Sequence, residues 1–249
     1  MNTFFTAFFD NLPQVLSGLG VTAEATVLGA VIAFALSFVL GLMAGHRNIV
    51  VRGVSRTVVE FFRGTSLYVQ LFWLYYALPL LTGYQLSALF CGVVAFALNF
   101  GAYGSEVVRG GINAVPRAQW EAAVALNLSP YQRMRRVILP QALAQMIPPF
   151  TNLLIQLLKA TPLLWLISAA DLMTVIQQLR DRTGESLIAY VTLLVCYFII
   201  AYILTLLMNL LERSAKARLG QYTGTRGLFR TRSAAGAETV PVVPTGGAS

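Results

Sequence analysis

The sequence predicts an all-α, polytopic membrane protein with about five transmembrane helices, the N-terminus outside and the C-terminus inside. Three observations carry this reading. The 249-residue chain is 57% hydrophobic and 11% charged, with a mean hydropathy of +0.68, whereas soluble domains are about a quarter charged. Its apolar residues gather in runs close to the roughly 20 that a helix needs to cross a bilayer. Its Lys and Arg residues fall in alternate connections, as topology signals do.

In residues 1–16, Phe4, Phe5, Phe8 and Phe9 suggest a short interfacial helix. There is no basic stretch or clear cleavage site at the start, so the reading is not a signal peptide. The membrane domain is expected over 17–219, with spans near 21–44, 65–81, 86–107, 147–170 and 187–211, the second being the shortest. Before the first span stands Asp10 with no Lys or Arg. The first connection carries Arg47, Arg52, Arg56 and Arg63, and the third Arg109, Arg117, Arg133, Arg135 and Arg136. The second is uncharged, the fourth mixes signs from Asp171 to Glu185, and the tail is basic. The positive-inside rule then places the first and third connections and the tail in the cytoplasm. Trp73, Tyr75, Tyr76 and Tyr84 fall near the outer interface. The Gly-, Thr-, Ala- and Pro-rich residues 220–249 read as a disordered cytoplasmic tail. Topology signals and anionic lipid account for the net charge of +8, so no nucleic-acid partner is implied. Cys91 and Cys196 lie in apolar runs and lack metal-ligand spacing. The lone His46 sits at a span end, where an interfacial role suits it.

Residues 115–140 interrupt the apolar runs. In EAAVALNLSPYQRMRRVILP, the stretch from Glu121 reads as helix and Asn127 as a left-handed stop. Ser129, Pro130 and Gln132 have the spacing of a capping box. The second helix carries Tyr131, Met134, Val137 and Ile138 on one face and Arg133, Arg135 and Arg136 elsewhere, and Pro140 is expected to interrupt it. Two short amphipathic helices with a bend suit docking onto another protein.

This segment resembles the EAA loop of the permease subunits of bacterial ATP-binding-cassette importers. That pattern is EAA, three residues, Gly, about nine residues, then an apolar residue and Leu-Pro. Glu121, Ala122, Ala123 and Leu139-Pro140 match it, and Asn127 replaces the Gly. EFFRGTSLYVQLFWLYYALP from Glu60, AYGSEVVRGGINAVPRAQWEAA from Ala102 and LPQALAQMIPPFTNLLIQLLKATPLL from Leu139 are similar to the polar amino-acid branch (histidine, glutamate or arginine type). The resemblance covers roughly 17–213 and implies a type I importer permease fold in the inner membrane. It implies coupling to the ATPase through Glu121, Ala122, Ala123, Asn127 and Arg133. It further implies an ATPase dimer that binds ATP and Mg, a second permease subunit, identical or related, and an extracytoplasmic solute-binding protein.

Polar residues inside spans should face protein or water. Asn99, Tyr103 and Glu106 form one stripe, and Asn152, Gln156 and Lys159 another at the same spacing. Ser66 and Gln70 make a shorter one. Together with Thr161 these are candidates for a polar solute pathway; interhelical hydrogen bonding is the alternative for each Asn and Gln. Glu106 reads either as an ion pair with Arg109 or as a substrate contact. A mid-bilayer Lys costs about 2.5–3.5 kcal/mol, so Lys159 needs water, a partner or a carboxylate ligand. The family pattern Lys-Asp-Thr-Ser-Leu is here Lys159, Ala160, Thr161, Pro162 and Leu163, which removes a local counter-ion and adds a bend at Pro162.

No phosphate-binding GxxxxGK[ST], CxxC or HExxH occurs, so the chain is not expected to hydrolyse ATP or to bind a metal or cofactor. A permease for another small polar solute (an opine or a sulfur compound), an ion-coupled secondary transporter and a membrane scaffold are the competing readings. The absence of an evident duplication in five spans counts against the second, and Lys159 against the third.

Overall fold

The structure, a computed structural model, describes residues 2–218. Among these every regular element is a helix: α1 Asn2–Asp10, α2 Leu12–Ala44, α3 Ile49–Gly64, α4 Leu67–Thr82, α5 Ala88–Asn113, α6 Arg117–Ala125, α7 Pro130–Ile167, α8 Leu172–Thr183 and α9 Ser186–Arg218. The expected tail 220–249 lies outside the described residues.

Among the described residues four helices are long and apolar enough to cross a membrane: Leu12–Ala44, Ala88–Asn113, Pro130–Ile167 and Ser186–Ser214. The expected second span differs. Thr65 and Ser66 are extended, with ψ of 148° and 131°, so the chain breaks between α3 and α4. Gly83 then ends α4 in the left-handed region at φ 74°. At 1.5 Å per residue α4 reaches about 24 Å, short of the ~30 Å hydrocarbon core. The first span starts earlier than expected, because Asn11 and Pro13 open a helix at Leu12. The N-terminal phenylalanines, expected at an interface, divide: Phe4 is fully buried against Val15, Leu172, Ile176 and Leu179, while Phe5 and Phe9 are exposed.

Pro140 does not interrupt its helix. The second short helix of 115–140 is the start of α7, a continuous 38-residue helix. Residues Met134–Ile138 widen into a π-turn directly before Leu139-Pro140. α4 has the same device, a π-turn at Trp73–Ala77 directly before Leu78-Pro79. A proline ring clashes with the carbonyl four residues back and lacks an N–H. A wider turn relieves both faults and lets the helix continue. At Pro162, where a bend is expected, α7 tightens to 3₁₀ geometry over Thr161–Ile167.

The core lies where α2 and α5 cross. Small residues allow close approach: Ser37 Oγ donates to Ala33 O at 2.6 Å and to Gly101 O of α5 at 3.2 Å. A Cβ on Gly41 would stand 2.8 Å from Val108 Cβ and 2.9 Å from Ser105 O. Around this crossing Leu71, Phe96, Phe100, Leu157, Leu164 and Ile167 tie α4, α5 and α7 together. A second cluster, Val108, Val115, Ile138, Ala142 and Met146, joins the end of α5 to the start of α7. Gly41→Val should cost about 1–3 kcal/mol by overpacking, because backbone at Ser105 cannot yield as a side-chain tip can. The expected result is a lowered unfolding temperature of the purified protein, and an unchanged one would show that the crossing is looser than its geometry.

Candidate functional site

The candidate site residues fall in two regions. The first is the turn between α6 and α7. The Leu128 N–H donates to Ala123 O at 3.1 Å and the Asn127 N–H to Val124 O at 2.8 Å, the paired bonds of a Schellman stop. They require the left-handed φ of 54° found at Asn127, the position where the resemblance expects Gly. Asn tolerates that region better than other side chains. Ser129 then forms both halves of the capping box with Gln132, at 3.1 and 3.3 Å. Gln141 Nε2 donates to Gln119 Oε1 at 3.2 Å and so links α6 to α7. Ala123 is buried beneath the turn, while Glu121, Ala122, Val124, Leu126, Asn127 and Tyr131 are exposed. Arg135 stacks over Tyr131 and donates to its hydroxyl at 3.1 Å. Arg133 is half-buried, its Nε without a hydrogen-bond partner. The outcome is a rigid knob of apolar tips among arginines.

The second region is the set of polar residues within helices, which divides in two. Gln70, Asn99 and Tyr103 turn toward the end of α3. Phe62 O accepts from Gln70 Nε2 at 2.9 Å and from Asn99 Nδ2 at 3.0 Å. Arg63 O accepts from the Tyr103 hydroxyl at 3.4 Å. Phe61 O accepts from the Thr65 N–H and, at 2.8 Å, from its hydroxyl. A helix end leaves its last carbonyls without intrahelical donors, and these side chains supply them at the α3–α4 break. Ser66, the other half of that short stripe, is the extended N-cap residue of α4. The neighbouring cavity of about 310 Å³, lined by Phe61, Phe62, Val69, Trp73 and Leu74 together with Gln70, is apolar and poorly matched to a charged solute.

Glu106 pairs with Arg109 one turn on, Nε to Oε2 at 3.0 Å, and both remain partly exposed. By contrast Asn152, Gln156 and Lys159 are all exposed along one side of α7, while Thr151, Leu157 and Leu158 on its other side are buried. Among the described residues Lys159 forms no ion pair. Thr161 is buried; its hydroxyl donates to Leu158 O at 2.8 Å and meets Tyr197 OH at 3.3 Å. The sequence reading passed over Glu24, exposed within α2, because the surrounding run is apolar. It also passed over Asp171, counting it as a connection charge, although the spacing to Thr174 is that of an N-cap. No group of three His, Cys, Asp or Glu among the described residues could hold a metal ion.

Residues 37–217 match the family described as the inner membrane component of binding-protein-dependent transport systems. A probable amino-acid ABC transporter permease protein of Sinorhizobium fredii is 43% identical over 82% of this chain and 88% of its own length. The arginine transport system permease protein ArtQ of Bacillus subtilis is 34% identical over 87% of this chain and 99% of its own. The crystal structure of an amino acid ABC transporter with histidines superposes with a TM-score of 0.79 at 31% identity, over 84% of this chain and 98% of that one. The MetNI methionine ABC transporter in an inward-facing conformation shares the fold, with a TM-score of 0.68 at 18% identity over 82% and 97% of the two chains. The chain therefore belongs to the family of binding-protein-dependent transport-system inner-membrane components: it is a multi-pass permease subunit of an ATP-binding-cassette importer, whose ATPase is a separate chain.

Proposed function

We propose that this permease subunit forms one side of a pathway for polar amino acids, lying between it and a second permease subunit. The observation that carries the pathway is the exposed stripe Asn152, Gln156 and Lys159 on α7. An ammonium facing lipid is costly, and the cavity beside α4 is apolar, so the polar face is best covered by water shared with a second subunit. Tyr103, Glu106 and Thr161 flank this route, and Gln70 and Asn99 hold the α3–α4 break that shapes it. The amino-acid class is supported by the relatives described as amino-acid and arginine permeases. Energy enters through the α6–α7 knob: Glu121, Ala122, Ala123, Asn127 and Arg133 position it in a groove of an ATPase dimer that holds ATP and Mg. A solute-binding protein delivers the substrate from the other side.

The same reading makes α4 the fifth, short crossing of a type I importer fold, with the arginine-bearing α3 on the cytoplasmic side. Polar side chains satisfy the backbone freed at the α3–α4 break, where the chain enters that crossing. The N-terminus is then outside and the C-terminal tail inside.

Two experiments test the reading. Proteoliposomes holding the full complex and the binding protein should take up a labelled polar amino acid on addition of ATP, with ion gradients collapsed. Uptake of an opine or sulfur compound instead would move the substrate class, and uptake that needs an ion gradient would overturn the mechanism. For topology, Cys91 and Cys196 are replaced and single cysteines placed at Gln14 and in the tail. In intact cells an impermeant maleimide should label only the first; a labelled tail reverses the orientation.

A further inference from the structure

α2, α7, α8 and α9 meet at a buried polar node that the transport reading does not use. Asp171, in the connection between α7 and α8, is the N-cap of α8 and is 0% exposed. Its Oδ1 accepts from the Thr174 N–H at 3.0 Å, and its Oδ2 is buried without a hydrogen-bond partner. The Thr174 hydroxyl lies 2.6 Å from Ala169 O and 2.7 Å from Asp171 Oδ1.

These two short contacts fix a proton count. A hydroxyl carries one proton, and a backbone carbonyl can only accept. The Thr174 proton therefore goes to Ala169 O. The contact with Asp171 Oδ1 then lacks a proton, and two bare oxygens at that separation would repel. Asp171 is the member of that contact able to supply it. Ionised, the carboxylate would also leave Oδ2 charged and unsolvated, which is costly in a low-dielectric setting. The titratable group facing it is the Tyr197 phenol of α9. α2 contributes Thr22, whose hydroxyl accepts from the Leu172 N–H at 3.1 Å, and α7 contributes Thr161. α1 packs on α8 through Phe4. Among the described residues no Lys or Arg forms an ion pair with Asp171. Burial pushes the carboxyl above its ordinary range, and hydrogen bonds from Thr174 and Met173 pull the other way. The Thr174 hydroxyl cannot add to that pull once its proton is committed to Ala169 O.

We propose that Asp171 is held as the neutral acid, donating its proton to Thr174 Oγ1, and that this proton is a latch joining the end of α7 to α8. The sign follows: a carboxyl held above its unfolded value contributes stability at low pH that is lost as pH rises through its folded value. On deprotonation the Thr174 contact turns repulsive, and the segment linking α7 to α8 loosens.

Infrared spectroscopy of the purified protein in an ester-free detergent tests this at neutral pH. A carboxylic-acid C=O band is expected, lost in Asp171→Asn and moved to higher frequency in Thr174→Val, where the acid loses its acceptor. The unfolding temperature of the wild type should fall by several degrees from neutral to alkaline pH, and that of Asp171→Asn should fall less. No carboxylic-acid band that responds to either substitution overturns the proposal. If Asp171→Asn does not fold, the wild-type band and its shift in Thr174→Val decide it. A band unmoved by Thr174→Val overturns the assignment of the acceptor.

Discussion

Asn127→Val is expected to abolish coupled transport while leaving the protein in the membrane. Asn127 holds φ at 54°, and a β-branched residue there costs about 1–2 kcal/mol or more. The two bonds closing the turn, Leu128 to Ala123 and Asn127 to Val124, would be lost with it. The exposed tips of α6 and the start of α7 would then no longer present one surface. Glu121→Lys attacks the same surface without touching the turn, because Glu121 is exposed and reversal of its charge leaves the fold alone. Both variants should lose substrate-stimulated ATP hydrolysis at least about tenfold, equivalent to ~1.4 kcal/mol, and should co-purify poorly with the ATPase. Asn127→Gly is the control, since glycine adopts the left-handed region without strain, and it should retain full activity. Wild-type coupling in both Asn127→Val and Glu121→Lys would remove the docking assignment. Loss in Asn127→Gly as well would assign Asn127 a side-chain contact in place of a conformational role.

What the sequence made legible follows the range of each interaction. The turn at Asn127 and the capping box at Ser129 were readable because their determinants lie within four residues of one another. The four long spans were readable because length and hydropathy alone decide them. The break at Thr65 and Ser66 was not, although RGTS lies in an evident motif. What sustains the break is the supply of donors from Gln70 on α4 and from Asn99 and Tyr103 on α5, up to 40 positions away. Those residues looked like a pathway stripe because periodicity reports which residues share a face, and not what that face meets. Pro140 misled for a related reason. Its local rule ends a helix, and a π-turn beneath Leu139 absorbs the fault while Ile138, Ala142 and Met146 pack against Val108. Asp171 escaped notice because its burial depends on α2 and α9, which are distant in sequence.

Lys159→Met is expected to reduce uptake strongly while the complex still assembles. The substitution keeps much of the aliphatic stem and removes the charge. Lys159 is exposed on α7 and unpaired among the described residues, so assembly of this chain has little to lose. Ala160 beside it brings no charge of its own. If the ammonium meets the α-carboxylate of a bound amino acid, truncating that contact costs about 2–5 kcal/mol. Even the lower bound lowers uptake about thirtyfold, with expression, co-purification and basal ATP hydrolysis unchanged. If it pairs instead with a carboxylate of the second permease subunit, the loss should appear in assembly: the complex should dissociate more readily in detergent. Both outcomes place Lys159 at a wet face between subunits. Normal uptake by a well-assembled Lys159→Met complex would reject that placement, and Lys159 would then be a residue that snorkels along α7 toward an interface, with the pathway lying elsewhere.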